Sequence, residues 1–243
     1  MRYSKAKLNV FLRNRVLPGW LFRLRASLQK VPDADLYNPT FQPWRAKDFR
    51  ALYEAVSGRT LVSREAAWTM LALARQALSV DGDFIEAGVY RGGTAKLLQG
   101  VLASDSGRRA LHLFDTFEGM PNIDSARDLH SAKDFSDTSV EAVSAFVGRQ
   151  DWVRNHKGPI PDTFAGLEGL RFAFAHIDVD LHKSVLDCSE FIYPRLNSGG
   201  IMIFDDYGAP SCPGARSAVD SFFAGRPEVP LVIRTGQAII YRR

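Results

Sequence analysis

Cysteine and long apolar runs are both scarce in this sequence. It has two cysteines, Cys188 and Cys212, which are too few for a disulfide framework, and their spacing is not that of a metal-binding motif. We therefore expect two small buried residues in a protein of a reducing compartment. The most apolar helical stretch, 68–80, is interrupted by Arg75 and Gln76 and falls short of the ~18 residues that a membrane-spanning helix needs. These absences predict a cytoplasmic protein.

Acidic residues are absent from the first 30 positions, which contain eight basic ones. The whole chain has a formal net charge of +4 and a pI near 9.1, values that suggest nucleic-acid binding. Residues 33–243, however, hold 23 basic and 27 acidic residues, so the positive excess belongs to an N-terminal arm, residues 1–32. We therefore expect no nucleic-acid partner. The eight basic residues are Arg2, Lys5, Lys7, Arg13, Arg15, Arg23, Arg25 and Lys30.

The arm also carries apolar residues at helical spacing, among them Leu8, Phe11, Leu24 and Leu28. Basic residues interrupt the apolar core that a signal peptide requires, and no small-residue cleavage site follows. Two roles fit such an arm: peripheral contact with an anionic membrane, or packing against its own domain or a partner subunit in a homo-oligomer. The amphipathic pattern alone does not separate them.

From Asp83 onward, strand-like and helix-like stretches alternate. Apolar strands such as FAFAHID with helices between them predict a parallel sheet covered on both faces, and the turn 235–237 predicts an antiparallel hairpin at its end. The predicted strands are 83–88, 110–115, 171–178, 200–205, 231–234 and 238–242. The predicted helices are 46–56, 63–79 with Ser63 as N-cap, 93–103, 138–147, 184–196 and 215–223.

The first strand ends in a glycine-rich turn. Its G-x-x-x-G-G spacing over 88–93 differs from the G-x-G-x-x-G of dinucleotide-binding loops. The next strand ends in Asp115, whose carboxylate can accept hydrogen bonds from both hydroxyls of a ribose. Together these features suggest an adenosine-containing ligand, although a tight turn with an N-capping acid accounts for them as well.

Acidic residues also end two later strands. Asp178 and Asp180 follow one, and the pair Asp205-Asp206 follows the next. Neighbouring strands lie ~4.8 Å apart, so these carboxylates would meet at one edge of the sheet. Their repulsion calls for a cation, and all-oxygen ligation suits Mg2+. His176, within the apolar strand, is expected to be a hydrogen-bonded core residue.

Several longer motifs, in order, make the chain resemble the macrocin O-methyltransferase family of S-adenosylmethionine-dependent enzymes, relatives in fold of catechol O-methyltransferase. The motifs are FIEAGVYRGGTA (84–95), LHLFDTFEGMP (111–121), DFSDTS (134–139), KGPIPDT (157–163), HIDVDLHKS (176–184) and GGIMIFDDY (199–207). The resemblance runs from about Thr60 to the C-terminus. It implies a Rossmann-like class I methyltransferase, an α/β fold with a mostly parallel seven-stranded sheet, a C-terminal antiparallel hairpin and helices on both faces.

The resemblance also implies site residues. Asp178, Asp205 and Asp206 would hold Mg2+, and Asp180 would be the general base. The residues along the methionine part of the cofactor would be Glu86, Gly88, Tyr90, Gly92 and Thr94, with Asp115 on the ribose.

The expected activity is O-methylation of a hydroxyl on a sugar, a glycan or another small molecule, dependent on S-adenosylmethionine and Mg2+. The carboxylate of an ordinary Asp is too weak a base to deprotonate an alcohol before methyl transfer begins. Metal polarisation would therefore activate the hydroxyl, while Asp180 accepts its proton during the transfer. The alternatives are a DxD-type metal-dependent glycosyltransferase and a non-catalytic binding protein of methyltransferase fold. The polar segment 118–137, with His130, is either a lid over the site or a solvated loop.

Overall fold

Apolar strands of four to nine residues form the centre of the protein in a computed structural model, which describes residues 42–105 and 109–243. The strands are β1 (Asp83–Ala87), β2 (Leu111–Asp115), β3 (Val153–Lys157), β4 (Phe172–Ile177), β5 (Leu196–Phe204), the two-residue β6 (Leu231–Val232) and β7 (Ala238–Tyr241). Within the described residues they form one sheet in the order β3-β2-β1-β4-β5-β7-β6. Strands β1 to β5 run parallel, while β7 pairs antiparallel with both β5 and β6.

Helices cover both faces of the sheet because its strands alternate their side chains between two apolar clusters. The helices are α1 (Lys47–Glu54), α2 (Arg64–Ala77), α3 (Gly93–Ala103), α4 (Val140–Val147), α5 (His182–Ile192) and α6 (Pro213–Phe223). In β5, Ile201 and Ile203 face the cluster that includes α2, α3 and α4, whereas Met202 and Phe204 face the one that includes α5 and α6. Short 3-10 turns occur at Pro43–Arg45, Ser57–Arg59, Asp162–Phe164 and Tyr193–Arg195.

The predicted fold class is confirmed: a mixed seven-stranded sheet, mostly parallel, has helices on both faces and an antiparallel hairpin at its end. Helix α3 has the predicted bounds, and Ser63 Oγ accepts the capping bond from the backbone N–H of Ala66 at 3.2 Å. Both cysteines are free and buried, as expected.

The structure departs most from the predicted elements at β3 and where α5 gives way to β5, while most other bounds differ by one or two residues. Strand β3 was not predicted, since its five residues Val-Arg-Asn-His-Lys are mostly polar. The helix expected over 184–196 ends at Ile192, because the 3-10 turn Tyr193–Arg195 and then strand β5 follow it. Strand β5 therefore begins four residues before the predicted Gly200.

The unit that carries the site is Trp44–Arg243. The predicted arm, residues 1–32, and its boundary with the body lie outside the described residues. Among the described helices, none combines the length and apolar character needed to cross a membrane.

Candidate active site

A cavity of about 490 Å³ opens at the carboxyl ends of the central strands. Its wall includes the turn after β1, the end of β2, the segment before α2 and the acidic residues that follow β4 and β5. Parallel α/β sheets bind ligands at this edge, because the loops that leave the strands converge there. Of the ten site residues predicted from the sequence, eight line the cavity: Gly88, Tyr90, Thr94, Asp115, Asp178, Asp180, Asp205 and Asp206.

Gly88 lets the chain turn where β1 meets β4. Its φ is +86°, and a Cβ added there would lie 1.7 Å from the carbonyl oxygen of Asp178. Only glycine therefore fits between the two strand ends. Tyr90, two residues later, also has a positive φ of 50° and lines the cavity.

The carboxylate of Asp115 holds this turn in shape. Its Oδ2 accepts hydrogen bonds from the backbone N–H groups of Val89 and Tyr90, both at 2.8 Å, and its Oδ1 accepts one from Phe117 at 2.7 Å. Oδ2 thus uses both of its lone pairs, whereas Oδ1 keeps a second lone pair on the cavity wall. Asp115 is therefore able both to support the turn and to accept a hydrogen bond from a ligand.

The other two predicted cofactor residues, Glu86 and Gly92, do not line the cavity. Gly92, with φ +83°, is the N-cap of α3 and packs against α4. Glu86 is fully buried, and its Oε1 lies 2.9 Å from Nδ1 of His176, while its Oε2 has no hydrogen-bond partner among the described residues. Both residues therefore lie behind the residues that line the cavity and support them.

His176 links Glu86 to the acidic edge of the sheet. Its Nε2 lies 3.4 Å from Oδ1 of Asp205, so the ring is held from both sides as expected for a core histidine. Burial disfavours a charged imidazole, but the hydrogen bonds and charges of Asp205 and Glu86 outweigh it and raise the pKa of His176 well above its ordinary value.

Asp178, Asp205 and Asp206 form a compact carboxylate cluster. Each offers one oxygen, and the three oxygens lie within 4.8 Å of one another. Burial raises the pKa of Asp178 and of Asp206 well above the ordinary range, and repulsion from neighbouring carboxylates adds to it. Gln237 donates to Asp205 Oδ1 at 2.7 Å, which fixes that oxygen.

This donor set fits a hard divalent cation. All three ligands are carboxylate oxygens on adjacent strand ends, as Mg2+ prefers. Asp206 also accepts a hydrogen bond at 3.0 Å from the backbone N–H of Asp180, so its orientation is set from within the chain. A cation here would relieve the repulsion that the cluster carries without one.

The Asp180 side chain contacts a second group of residues beside this cluster. Its Oδ1 accepts a hydrogen bond from Cys212 Sγ at 3.2 Å and lies 3.4 Å from Nε2 of His130. Burial raises the pKa of Asp180, although the Cys212 bond and the charge of His130 oppose the shift. Sequence reasoning missed this grouping, because the three residues belong to separate segments and no spacing pattern connects them.

The segment 118–137 contributes to the cavity wall. His130 and Phe135 line the cavity, and the Phe135 ring meets Tyr90 edge-on with centroids 5.5 Å apart. Gly119 accepts a hydrogen bond from Thr116 Oγ1 at 2.6 Å, which anchors the start of the segment. That this segment closes as a lid stays a prediction.

The comparison with protein families gives a match over most of the chain. Residues 46–238 match the family described as Macrocin-O-methyltransferase (TylF). This range includes all ten predicted site residues.

The curated relatives that the chain resembles are likewise named as O-methyltransferases. The chain is 36% identical over 149 residues to the 8-demethyl-8-(2,3-dimethoxy-alpha-L-rhamnosyl)-tetracenomycin-C 4'-O-methyltransferase of Streptomyces olivaceus, covering 56% of this chain and 57% of that protein. The chain spans 57 to 61% of the length of the curated relatives it matches.

Solved structures share the fold. The O-methyltransferase NovP superposes with a TM-score of 0.69 at 27% identity, covering 76% of this chain and 82% of that one. The SAH-bound methyltransferase PaMTH1 of Podospora anserina has a TM-score of 0.56 at 19% identity and covers 94% of this chain and 98% of its own, a likeness of fold alone.

Proposed function

Since this chain belongs to the macrocin O-methyltransferase (TylF) family, we propose that it is an O-methyltransferase that depends on S-adenosylmethionine and Mg2+ and acts on a hydroxyl of a sugar-containing acceptor. One observation carries the proposal: the glycine turn of β1 and the three-carboxylate cluster line the same cavity. A cofactor on the turn and an acceptor at the cluster would therefore meet in the same cavity.

The cofactor would lie along Gly88, Tyr90 and Thr94. Gly88 lacks a side chain at the point of closest approach, and the second lone pair of Asp115 Oδ1 would accept a hydrogen bond from a ribose hydroxyl. Glu86 and Gly92 would act indirectly, by supporting the strand end and the start of α3.

Asp178, Asp205 and Asp206 would hold the metal. When bound, S-adenosylmethionine supplies an electrophilic methyl group and Mg2+ polarises the acceptor hydroxyl. Asp180 would accept the hydroxyl proton, and its raised pKa makes it a better acceptor than an ordinary Asp. The partly buried wall would exclude water and fix the direction of transfer, which is a large source of acceleration in displacement reactions.

The acceptor class rests on the curated relative, whose name describes methylation of a rhamnosyl group. Because this chain spans 57% of that protein, the sugar acceptor is carried over as a proposal. The glycosyltransferase and non-catalytic alternatives gain no support from the family match. The proposal places the reaction in the cytoplasm, on a small molecule or glycan and not on nucleic acid.

The test is a methyl-transfer screen with isotopically labelled S-adenosylmethionine over glycosides and catechols, with and without Mg2+. Asp178→Asn and Asp205→Asn should abolish Mg2+-dependent turnover while cofactor binding survives, because neither side chain bonds to the glycine turn. The matched control is Asp151→Asn, an exposed residue away from the cavity, which should keep full activity. Full turnover of the unmodified protein in the presence of a chelator would overturn the metal role.

A further inference from the structure

Three side chains of different ligand type converge beside the carboxylate cluster. Asp180 Oδ1 lies 3.4 Å from His130 Nε2 and 3.2 Å from Cys212 Sγ. Cys212 Sγ in turn lies 3.5 Å from His130 Nε2. Cys212 is buried, with 2% of its surface exposed, and the other two side chains are exposed by 14% and 16%. Nitrogen, oxygen and sulfur ligands thus meet in a protected place.

These separations are those of a tetrahedral zinc site. Bond lengths of about 2.0–2.1 Å to nitrogen, about 2.0–2.2 Å to oxygen and about 2.3 Å to sulfur put tetrahedral ligands about 3.3–3.7 Å apart. All three observed separations fall within or close to that range. The side chains would therefore need little movement to bind the ion.

The surroundings of His130 support metal binding. Its Nδ1 lies 3.1 Å from Oδ2 of Asp134, a carboxylate–histidine contact that places the proton on Nδ1 and leaves the Nε2 lone pair for a metal. Asp134 is itself fixed by the backbone N–H of Ser131 at 2.9 Å. All three ligand residues line the cavity, so a fourth coordination position opens toward it.

We propose that His130, Asp180 and Cys212 form a second metal site, which takes Zn2+ in preference to Mg2+ and withdraws Asp180 from proton transfer when occupied. A thiolate and an imidazole favour Zn2+, whereas the all-oxygen cluster nearby suits Mg2+. On binding, the Cys212 thiol releases its proton to solvent and sulfur donates its pair to the ion. The ion's +2 charge is then balanced by one thiolate and one carboxylate, with no change in oxidation state.

The withdrawal of Asp180 rests on the proposed function, but the site itself does not. Asp180 Oδ1 is the atom that faces His130 and Cys212. With Oδ1 donating a pair to Zn2+, the carboxylate shares its negative charge with the ion and becomes a much poorer proton acceptor at both of its oxygens. Zinc would then inhibit methyl transfer without displacing the metal at Asp178, Asp205 and Asp206.

Cobalt titration of the full-length, metal-stripped protein tests the site, in the presence of saturating Mg2+. We expect one Co2+ per chain, with a sulfur-to-cobalt charge-transfer band and the intense visible bands of tetrahedral coordination, and competitive displacement by one Zn2+. Cys212→Ser should abolish the charge-transfer band. Cys188→Ala, which removes the other buried cysteine, should keep it.

The supporting carboxylate gives a second readout. Asp134→Asn should weaken Zn2+ binding about 10- to 100-fold while the charge-transfer band remains at saturation. His130→Gln should remove a ligand and lower the affinity further. Circular dichroism of each variant establishes that it is folded.

A charge-transfer band that persists in folded Cys212→Ser, or zinc binding that is equally tight in folded His130→Gln, would overturn the site. No methyl acceptor is needed, so this failure is separate from failure of the proposed function. The inhibitory role is overturned if one equivalent of Zn2+ occupies the site and the methyl-transfer rate of the unmodified protein is unchanged.

Discussion

The Oε1 atom of Glu86 lies 2.9 Å from Nδ1 of His176, and the opposite nitrogen of the same ring faces Asp205 at 3.4 Å. The contact runs across the sheet, because β1 pairs with β4 and β4 with β5. A carboxylate on one strand thereby orients a proposed metal ligand two strands away. Buried polar contacts of this kind commonly set the position and basicity of metal ligands.

His176→Gln should lower Mg2+ affinity about 10- to 100-fold, because Asp205 loses the ring that orients it. Isothermal titration of Mg2+ into the folded variant measures the effect. The matched control is His156→Gln, on edge strand β3, whose ring nitrogen faces His112 at 3.0 Å and no acidic residue of the cavity. Equal loss of affinity in both variants would assign the effect to general destabilisation.

Asp180→Asn should reduce the rate of methyl transfer about 10²- to 10⁴-fold, the range for loss of a general base, while Mg2+ affinity changes little. The reason is that the Asp180 side chain faces His130 and Cys212 and only its backbone N–H bonds to Asp206. Rate and Mg2+ affinity are measured on the same preparation. A parallel fall in both would make Asp180 a ligand of the Mg2+ site.

Gly88→Ala should abolish cofactor binding, because the new methyl group would meet the Asp178 carbonyl oxygen and force the turn open. The matched control is Gly100→Ala in α3, where no atom outside the adjoining helix backbone lies within 4 Å of the added Cβ. That control should stabilise the fold by about 0.4–1 kcal/mol. Calorimetric titration with S-adenosylmethionine and thermal unfolding give the two readouts. Normal cofactor affinity in Gly88→Ala would separate the turn from the cofactor site.

Glu228→Gln should destabilise the fold at neutral pH and reduce its sensitivity to acid. Burial raises the pKa of Glu228, but hydrogen bonds from Tyr193, the backbone N–H of Arg243 and the Arg242 side chain outweigh it and lower the pKa from 4.5 to about 2. The ionised carboxylate therefore stabilises the fold above about pH 4.5, by about 3 kcal/mol, and this stabilisation is lost as the pH falls toward 2.

Urea unfolding at pH 7 and pH 3 measures this effect. The difference between the unmodified protein and Glu228→Gln should be large at pH 7 and smaller at pH 3. Glu190→Gln, at an exposed position of α5, serves as the control and should unfold like the unmodified protein. A difference that is independent of pH would show that the loss comes from packing.

Most of the fold was predictable because its strands and helices have strong local patterns. Helix α3 was predicted with its observed bounds, since a glycine turn precedes it and its apolar residues repeat at helical spacing. Strand β3 was not, because a polar edge strand has no apolar pattern of its own and is fixed by pairing with β2.

The candidate site was predictable to the extent that it follows from strand ends. Asp178, Asp205 and Asp206 come directly after neighbouring parallel strands, so their meeting follows from topology. The position of Glu86 did not follow, because a polar residue at the end of a central strand can face either a ligand or a neighbouring strand. Contacts between distant loops, such as that of His130 with Cys212, cannot be predicted from the spacing of residues in the sequence.

The three backbone bonds to Asp115 set the shape of the turn after β1 from within the protein. A ligand that enters the cavity meets a wall that is already ordered, so little conformational entropy of the backbone is lost on binding. Affinity at this wall then depends mainly on the contacts formed there. A substitution that makes the Asp115 side chain more mobile would also make the turn more mobile. Ligand binding would then cost more backbone entropy and become weaker, even if the substituted residue does not contact the ligand.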